Sequence, residues 1–348
     1  MKVSLVVVCH FSAAVVDRCL ESFRQQAATA GLDAEVVAVE QSEDDEQRAA
    51  VEAYRPDTLL IRPNRGYAAG LNAGLEHATG DTIILANPDL TFLDGSVAAV
   101  ADALGTGADV VGPQLVWDDD GQVILPIPDD PSPLAELGRT LRRRRRSAPD
   151  IARVLDFSWR VWTATDPVEV PSLRGPAMAM ARSTADRLGP LDEGYFLYYE
   201  ETDWLLRARR AGARIALQPA ARVAHRWGHA TARRADRSEV EARSRARFFA
   251  RCYPWWARRA LAALAPADAP AEIGFSPIDG PAALPETPAS VWLLSVTATM
   301  EPSAGCLGGS GLPPAAHELT SHGRWYAVAA RRAGRRWRIL GAWMWGQR

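Results

Sequence analysis

NRGYAAGLNAGLEHATGDTIILANPDL, residues Asn64–Leu90, reads in one pass as a turn, a helix, a second turn, a buried strand and an acidic residue at the strand's end. Gly66, Gly70 and Gly74 recur every fourth residue, so they share one face of a helix expected over Tyr67–Ala78. A glycine inside a helix costs about 0.8–1.0 kcal/mol relative to alanine. A face built of them therefore predicts a close approach, to a sheet or to a ligand. Gly80-Asp81 makes a turn, and Thr82–Ala86 is a short apolar run suited to an interior parallel strand. Pro88 lacks an N–H and ends that strand. Asp89 is thereby left in the crevice at the strand's carboxyl end, where open α/β sheets bind ligands. Taken alone, the stretch is also compatible with an ordinary helix–strand unit closed by a turn-forming Asn-Pro-Asp.

Upstream, Val3–Cys9 is a β-branched run typical of a strand covered on both faces. Ser12 is placed to cap the next helix, whose Val15, Val16, Cys19, Leu20 and Phe23 follow helical spacing. Glu35–Glu40 is a second strand, Asp44–Tyr54 a polar helix and Thr58–Ile61 a third strand. With Thr82–Ala86 the series alternates strand and helix, which predicts a parallel sheet with right-handed crossovers. Glu40 and Asp89 then stand at carboxyl ends of strands in one sheet, although Glu40 alone also reads as a solvated loop residue.

Downstream, Gly95–Leu104 reads as a helix and Asp109–Trp117 as a strand. Asp118–Gly121 reads as the solvated tip of a hairpin ending at Leu125 rather than a cation site. Pro126–Asp166 changes character, with several prolines, Arg139, and five consecutive arginines at Arg142–Arg146. Such a run favours an exposed, mobile loop or contact with an anionic membrane. Nucleic acid is not expected, because no recognition motif accompanies it. Val168–Met180 returns to strand character, and Ser183 is placed to cap a short helix broken by Gly189-Pro190. Tyr195–Arg210, YFLYYEETDWLLRARR, sets Tyr198, Tyr199, Glu200, Glu201 and Asp203 at a helix start, more acid than capping requires. Arg207, Arg209 and Arg210 suit the C-terminal end of that helix dipole. His225 follows a short strand; a lone histidine there reads as structural.

The chain has 348 residues, enough for two domains, with 47% hydrophobic and 24% charged residues and a net charge of −2. Neither the charge nor the composition argues for nucleic acid. No apolar run reaches the roughly 18 residues a membrane span needs, and the opening run reads as a strand rather than a leader. Cys9, Cys19, Cys252 and Cys306 are scattered with no C-x-x-C pair, as in incidental thiols of a reducing cytoplasm. Ala235–Leu264 has helical spacing, with arginines on one side and Phe248, Phe249, Trp255 and Trp256 on the other. Packing on a neighbouring domain and lying on a membrane fit it equally. Pro266–Pro288 reads as an Ala/Pro linker. From Ala289 the alternating runs Val291–Thr299, Trp325–Ala330 and Trp337–Trp345 predict a small β domain whose tryptophans form a core rather than a sugar platform.

Together, VSLVVVC, Cys19-Leu20 with Ser22, Asn64 with Gly66-Tyr67, Asn72, Gly80-Asp81, Asn87-Pro88-Asp89, Gly175 with Met178, Leu191-Asp192-Glu193, Tyr199-Glu200-Glu201 and His225 occur in an order that resembles one family. It is the inverting family 2 glycosyltransferases of GT-A fold, especially the rhamnosyltransferase-like bacterial branch. The resemblance covers roughly residues 1–260. It implies a Rossmann-like, mostly parallel sheet flanked by helices and roles for particular positions. Glu40 stands where the family has an Asp on the nucleotide base or ribose. Asn64, Arg65, Gly66, Asn72 and Asn87 line the donor side. Asp89 holds a divalent cation, Mg²⁺ or Mn²⁺, that bridges the donor diphosphate, with His225 as a further ligand. Glu200-Glu201 occupies the family's Glu-Asp pair, Glu201 being the catalytic base and Asp203 its substitute. Gly175, Tyr198 and Tyr199 fall on the acceptor side, although core packing fits both tyrosines as well. Glu40 and Glu201 each lengthen the family's Asp by one methylene, which alters the reach of a positioned group.

The expected α/β chain is thus a GT-A domain over 1–234 with a mobile Arg-rich insertion at about 126–166. A helical segment over 235–264, a linker over 265–288 and a small β-rich domain over 289–348 follow. The expected activity is transfer of a sugar, rhamnose among the candidates, from a nucleotide-diphosphate sugar to a glycan or lipid-linked acceptor in the cytoplasm. Membrane contact through 139–146 or 235–264 stays open. The rival readings are a nucleotidyltransferase on a related fold and a non-catalytic carbohydrate-binding protein.

Overall fold

A computed structural model describes residues 1–144, 151–225, 237–264, 274–298, 300 and 302–346. In chain order the elements begin β1 (Lys2–Cys9), α1 (Val16–Thr29), β2 (Asp33–Glu40), α2 (Asp45–Ala53), β3 (Thr58–Ile61) and α3 (Tyr67–His77). Next come β4 (Thr82–Ala86), β5 (Leu90–Phe92), α4 (Ser96–Gly105), β6 (Val110–Val116), α5 (Pro133–Arg144) and α6 (Ile151–Trp162). They continue with β7 (Val168–Glu169), β8 (Ala177–Ala181), α7 (Arg182–Leu188), α8 (Glu200–Arg210), β9 (Ile215–His225), α9 (Arg237–Cys252) and α10 (Trp255–Ala263). The last are β10 (Ser276–Pro277), β11 (Val291–Ser295), β12 (Ala304–Leu307), α11 (Pro314–Leu319), β13 (Trp325–Ala333) and β14 (Arg336–Trp345). They form two compact units, Met1–Gln114 with Thr165–Pro254, and Leu115–Ala164 with Trp255–Arg348.

The first unit is built on a sheet in the order β3-β2-β1-β4-β8-β6-β9-β5, with β7 beside β9. β1 runs parallel to β2 and β4, and β2 parallel to β3, giving the parallel α/β sheet expected. β8 enters antiparallel between β4 and β6, interrupting the run of parallel strands. Val3–Cys9 is buried throughout, as a strand covered on both faces must be. The glycine face of α3 lies on this sheet. A Cβ at Gly70 would stand 2.8 Å from Val8 Cγ1, and one at Gly74 would overlap Val6 Cγ1. The close approach is therefore to the sheet, which draws α3 tight against the strands. Two expected caps are replaced. α1 opens after Val15 with no side-chain cap, and the Val15 and Val16 N–H groups donate to the Ser12 carbonyl at 3.0 Å. α7 starts at Arg182, so Ser183 lies inside the helix rather than ahead of it.

The second unit contains the small β domain expected from residue 289, with sheet order β10-β14-β13-β11-β12, and it also takes in Leu115–Ala164. This division differs from boundaries drawn at 234 and 289. Segment 126–166, read as a loop, carries two helices. In α6 the residues Ile151, Leu155, Val161 and Trp162 are buried at helical spacing. Arg142–Arg144 of the arginine run are the last residues of α5; residues 145–150 lie outside the description. The hairpin pairs as expected, Trp117 N–H donating to the Val123 carbonyl at 2.8 Å. Asp118, however, is buried, and its carboxylate accepts from the Gln122 and Val123 N–H groups at 3.0 and 2.8 Å. It staples the turn. Residues 265–273 of the expected linker are outside the description, and Ser276–Pro277 pairs with β14 as a short strand. Trp325, Trp343 and Trp345 are buried core as expected, with Trp292 beside them, whereas Trp337 is half-buried with its ring 5.5 Å from that of Trp159 in α6. The helical stretch 235–264 divides at Pro254: Phe248 is buried in the first unit, whereas Trp255 and Trp256 are exposed. All four cysteines are free and buried. Among the described residues no helix is long and apolar enough to cross a membrane.

Candidate active site

β2 ends at Glu40, whose neighbour across the sheet is Cys9 of β1. Glu40 is 2% exposed, which removes the solvated-loop reading. Its Oε1 accepts from the Ser42 N–H at 2.5 Å, while Oε2 has no partner. β4 ends before Asn87, whose N–H donates to the Pro176 carbonyl at 2.9 Å. That bond ties the Asn-Pro-Asp turn to the segment carrying Gly175.

Asp89 meets His225 through strand register. β5 follows Asp89 directly and pairs antiparallel with β9, setting Leu90 opposite His225. His225 Nε2 then lies 3.4 Å from Asp89 Oδ2, both side chains being less than 10% exposed. Asp89 Oδ1 and His225 Nδ1 are buried without a partner.

Tyr198 and Tyr199 both adopt positive φ, 68° and 70°, a costly conformation for bulky residues that turns the chain sharply and launches α8 at Glu200. Tyr199 packs its ring 5.4 Å from Phe248 of α9, a core contact, while Tyr198 is half-exposed. Glu200 is buried, and Glu201 lies against Gly175, where a Cβ would stand 3.2 Å from Glu201 Oε1. An alanine at 175 would press on the Glu201 side chain and displace it by a few tenths of an ångström. Each glutamate has a buried Oε2 with no partner. Burial raises the Glu200 carboxyl well above the usual carboxylate range, and the adjacent Glu201 charge adds to it. Burial also raises Glu201, with backbone hydrogen bonds and the nearby Arg174 charge offsetting part of the shift.

Asp203 does not join this pair. Fully buried one turn on, it binds Arg207 Nε at 2.8 Å and accepts from Cys252 Sγ at 2.9 Å. Those bonds fix α8 to the end of α9 and leave it no role as a substitute base. Asn72 is likewise occupied: its Nδ2 donates to the Leu191 carbonyl at 3.0 Å and Glu193 Oε1 at 3.1 Å, and its Oδ1 accepts from the Leu191 N–H at 3.0 Å. It clamps α3 to the 191–193 loop. Asn64 Oδ1 accepts from the Gly66 N–H at 3.1 Å, and exposed Arg65 lies 3.5 Å from Glu193. Gly66 has φ 104°, and a Cβ there would stand 2.6 Å from the Phe196 carbonyl oxygen.

Tyr67, named in the sequence only as part of the Gly66-Tyr67 motif and given no role there, faces the candidate site. Its hydroxyl is buried without a partner, and burial together with the Glu200, Asp89 and Glu201 charges holds it well above its usual pKa. No spacing rule announces it; only the tertiary closeness of Glu200, Asp89 and Glu201 does. Among the described residues, six of the fifteen buried side-chain atoms without a partner lie on Glu40, Tyr67, Asp89, Glu200, Glu201 and His225. Each such atom costs about 1–3 kcal/mol, so their concentration at the strand ends marks a place built for a polar ligand. Among the described residues no group of three or more His, Cys, Asp or Glu forms a metal cage. A carboxylate and an imidazole with free lone pairs nevertheless fit a hard divalent ion that takes its other ligands from phosphate and water.

Residues 4–157 match the family model described as Glycosyl transferase family 2. The chain is 32% identical over 217 residues to an N-acetylglucosaminyl-diphospho-decaprenol L-rhamnosyltransferase of Mycobacterium tuberculosis, covering 55% of this chain and 66% of the relative. The chain therefore spans just under two thirds of that relative. It is 23% identical over 157 residues to the low-salt glycan biosynthesis hexosyltransferase Agl10 of Haloferax volcanii, covering 44% of this chain and 46% of the relative. Among solved structures it resembles a mannosyltransferase of Pyrobaculum calidifontis in complex with GDP-Man and Mn²⁺, at 16% identity and a TM-score of 0.44, over 76% of this chain and 73% of that one.

Proposed function

We propose that the chain, whose residues 4–157 match the Glycosyl transferase family 2 model, moves a sugar from a nucleotide-diphosphate donor to an acceptor hydroxyl with inversion at the anomeric carbon. The observation that carries this reading is the convergence of unpartnered Asp89, His225, Glu200 and Glu201 atoms in the crevice at the strand ends. Glu40 and the Asn64–Gly66 turn line the nucleotide side. Asp89 and His225 would hold a divalent ion, whose charge would offset the negative charge growing on the diphosphate. Glu201, beside Gly175, takes the acceptor proton as the acceptor oxygen bonds to the anomeric carbon. The bond to the diphosphate breaks, and its electron pair leaves with the nucleotide. A carboxylate raised by burial holds that proton better than an exposed one, which suits a base.

The similarity to an N-acetylglucosaminyl-diphospho-decaprenol L-rhamnosyltransferase supports rhamnose as the sugar and a lipid-linked acceptor. The test is thermal stability with UDP-, dTDP- and GDP-sugars, with and without Mn²⁺ or Mg²⁺. A donor at about 100 times its dissociation constant should stabilise the fold by roughly 2.7 kcal/mol, in a metal-dependent way that Asp89→Ala abolishes. Stabilisation by triphosphates alone would point to a nucleotidyltransferase. No shift with any nucleotide would point to a binding protein.

A further inference from the structure

The β13–β14 hairpin of the second unit carries Arg331, Arg332, Arg335, Arg336 and Arg338, and no acidic residue occurs between Trp325 and Trp345. Its register sets Arg331 opposite Arg338, Arg332 opposite Trp337 and Ala333 opposite Arg336, with Gly334 at φ 62° in the turn. Side chains alternate along a strand, so Arg331, Arg336 and Arg338 share one face. Arg332 lies on the other, 5.3 Å over the Trp159 ring of α6 and 5.8 Å over Trp337. Like charges directly opposite in a sheet are destabilising. Arg331 is tethered through Nε and Nη2 to the Pro288 carbonyl at 3.2 and 2.6 Å. Arg335, Arg336 and Arg338 are exposed and, among the described residues, have no acidic partner. A fold that keeps this repulsion uncompensated is arranged to meet anions from outside.

The same unit states which anion. α10 (WWARRALAA) exposes Trp255 by 68% and Trp256 by 44%, exposes Arg258 and Arg259, and contains no acid. α5 packs beside it with Leu134 72% and Leu141 40% exposed. An acidic protein partner would explain the arginines but not the bare tryptophans and leucines. Arginine with exposed Trp and Leu is the composition of an element that lies in a lipid headgroup region. We propose that the second unit docks on an anionic phospholipid bilayer, with Arg335, Arg336 and Arg338 taking lipid phosphates and Trp255 and Trp256 entering the headgroup layer. This does not depend on the chemistry proposed for the first unit.

The experiment is co-sedimentation of the full chain with vesicles of phosphatidylcholine alone, or with roughly one third phosphatidylglycerol. The expected result is binding to the anionic vesicles only, weakened as salt rises from about 0.05 M to 0.5 M. The triple variant R335Q/R336Q/R338Q should partition roughly 100-fold less, at about a fivefold loss per arginine, with an unchanged thermal midpoint. R335K/R336K/R338K should restore binding, and Trp255→Ala with Trp256→Ala should weaken it at every salt concentration. No binding to anionic vesicles, equal binding to neutral ones, or displacement by a single-stranded oligonucleotide at equal phosphate concentration would each overturn the proposal.

Discussion

Glu200 and Glu201 pull stability and activity in opposite directions. Burial raises both carboxyls above the usual range, Glu200 most clearly. A carboxyl whose folded pKa lies above its unfolded value contributes its full stability below the unfolded pKa, about 4.5. That contribution is lost as pH rises through the folded value. Glu200→Gln cannot ionise, so its thermal midpoint should exceed the parent's at neutral pH, and the difference should vanish near pH 4.5. Melting curves across that range test it; a lower midpoint at neutral pH would mean that the ionised group is stabilised by contacts stronger than its burial. Glu201→Gln should lower kcat by roughly 10²–10⁴-fold, with the parent's rate rising with pH through a value above the ordinary carboxylate range. Single-turnover rates report this without product release. Asp203, similar in type and only two positions on, should not behave this way, because Arg207 and Cys252 already occupy its oxygens.

Helix α3 is positioned by what it lacks. Gly74→Ala would drive a methyl into Val6 of β1, and overpacking of this kind costs about 1–3 kcal/mol. Gly105→Ala at the end of α4, where nothing lies within 4 Å, should be neutral or stabilising by up to about 1 kcal/mol. Denaturant midpoints of the two variants separate helix propensity from packing, and equal shifts would refute the close-approach account. The glycine spacing was legible because a helix repeats every few residues whatever surrounds it. Whether the glycines faced sheet or ligand was not, since either neighbour demands the same missing Cβ. The two mistaken caps have a related cause. A serine near a helix start can cap with its side chain, but here the Ser12 carbonyl receives the first N–H groups instead.

Across the whole molecule, the second unit is discontinuous, and its two chain segments depend on each other. The Ile124 N–H donates to the Gly305 carbonyl at 2.8 Å, and the Trp162 ring fills the space where a Cβ on Gly305 would stand. A chain ending at Leu264 would keep every candidate site residue yet strip the partners from the Trp117 hairpin and α6. We expect it to aggregate or to melt well below the full chain, as soluble yield and thermal midpoint would show. An equally stable truncation would mean that Leu115–Ala164 holds its fold without β10–β14.

What the chain determined by itself was local and periodic. The β-branched runs of β1 and β4, the glycine face of α3, the acidic residues at strand ends and the alternation from residue 289 follow from steric and burial preferences that act within a few residues. Tertiary structure decided what depends on long-range register and packing. It set His225 against Asp89 through the Leu90 pairing, and it enclosed the Tyr67 hydroxyl among three carboxylates. It also withdrew Asn72 and Asp203 into structural bonds and joined Leu115–Ala164 to the C-terminal sheet. The physical reason is that a side chain's partners across a sheet or between helices are chosen by the fit of whole elements, and no spacing within one element encodes that choice.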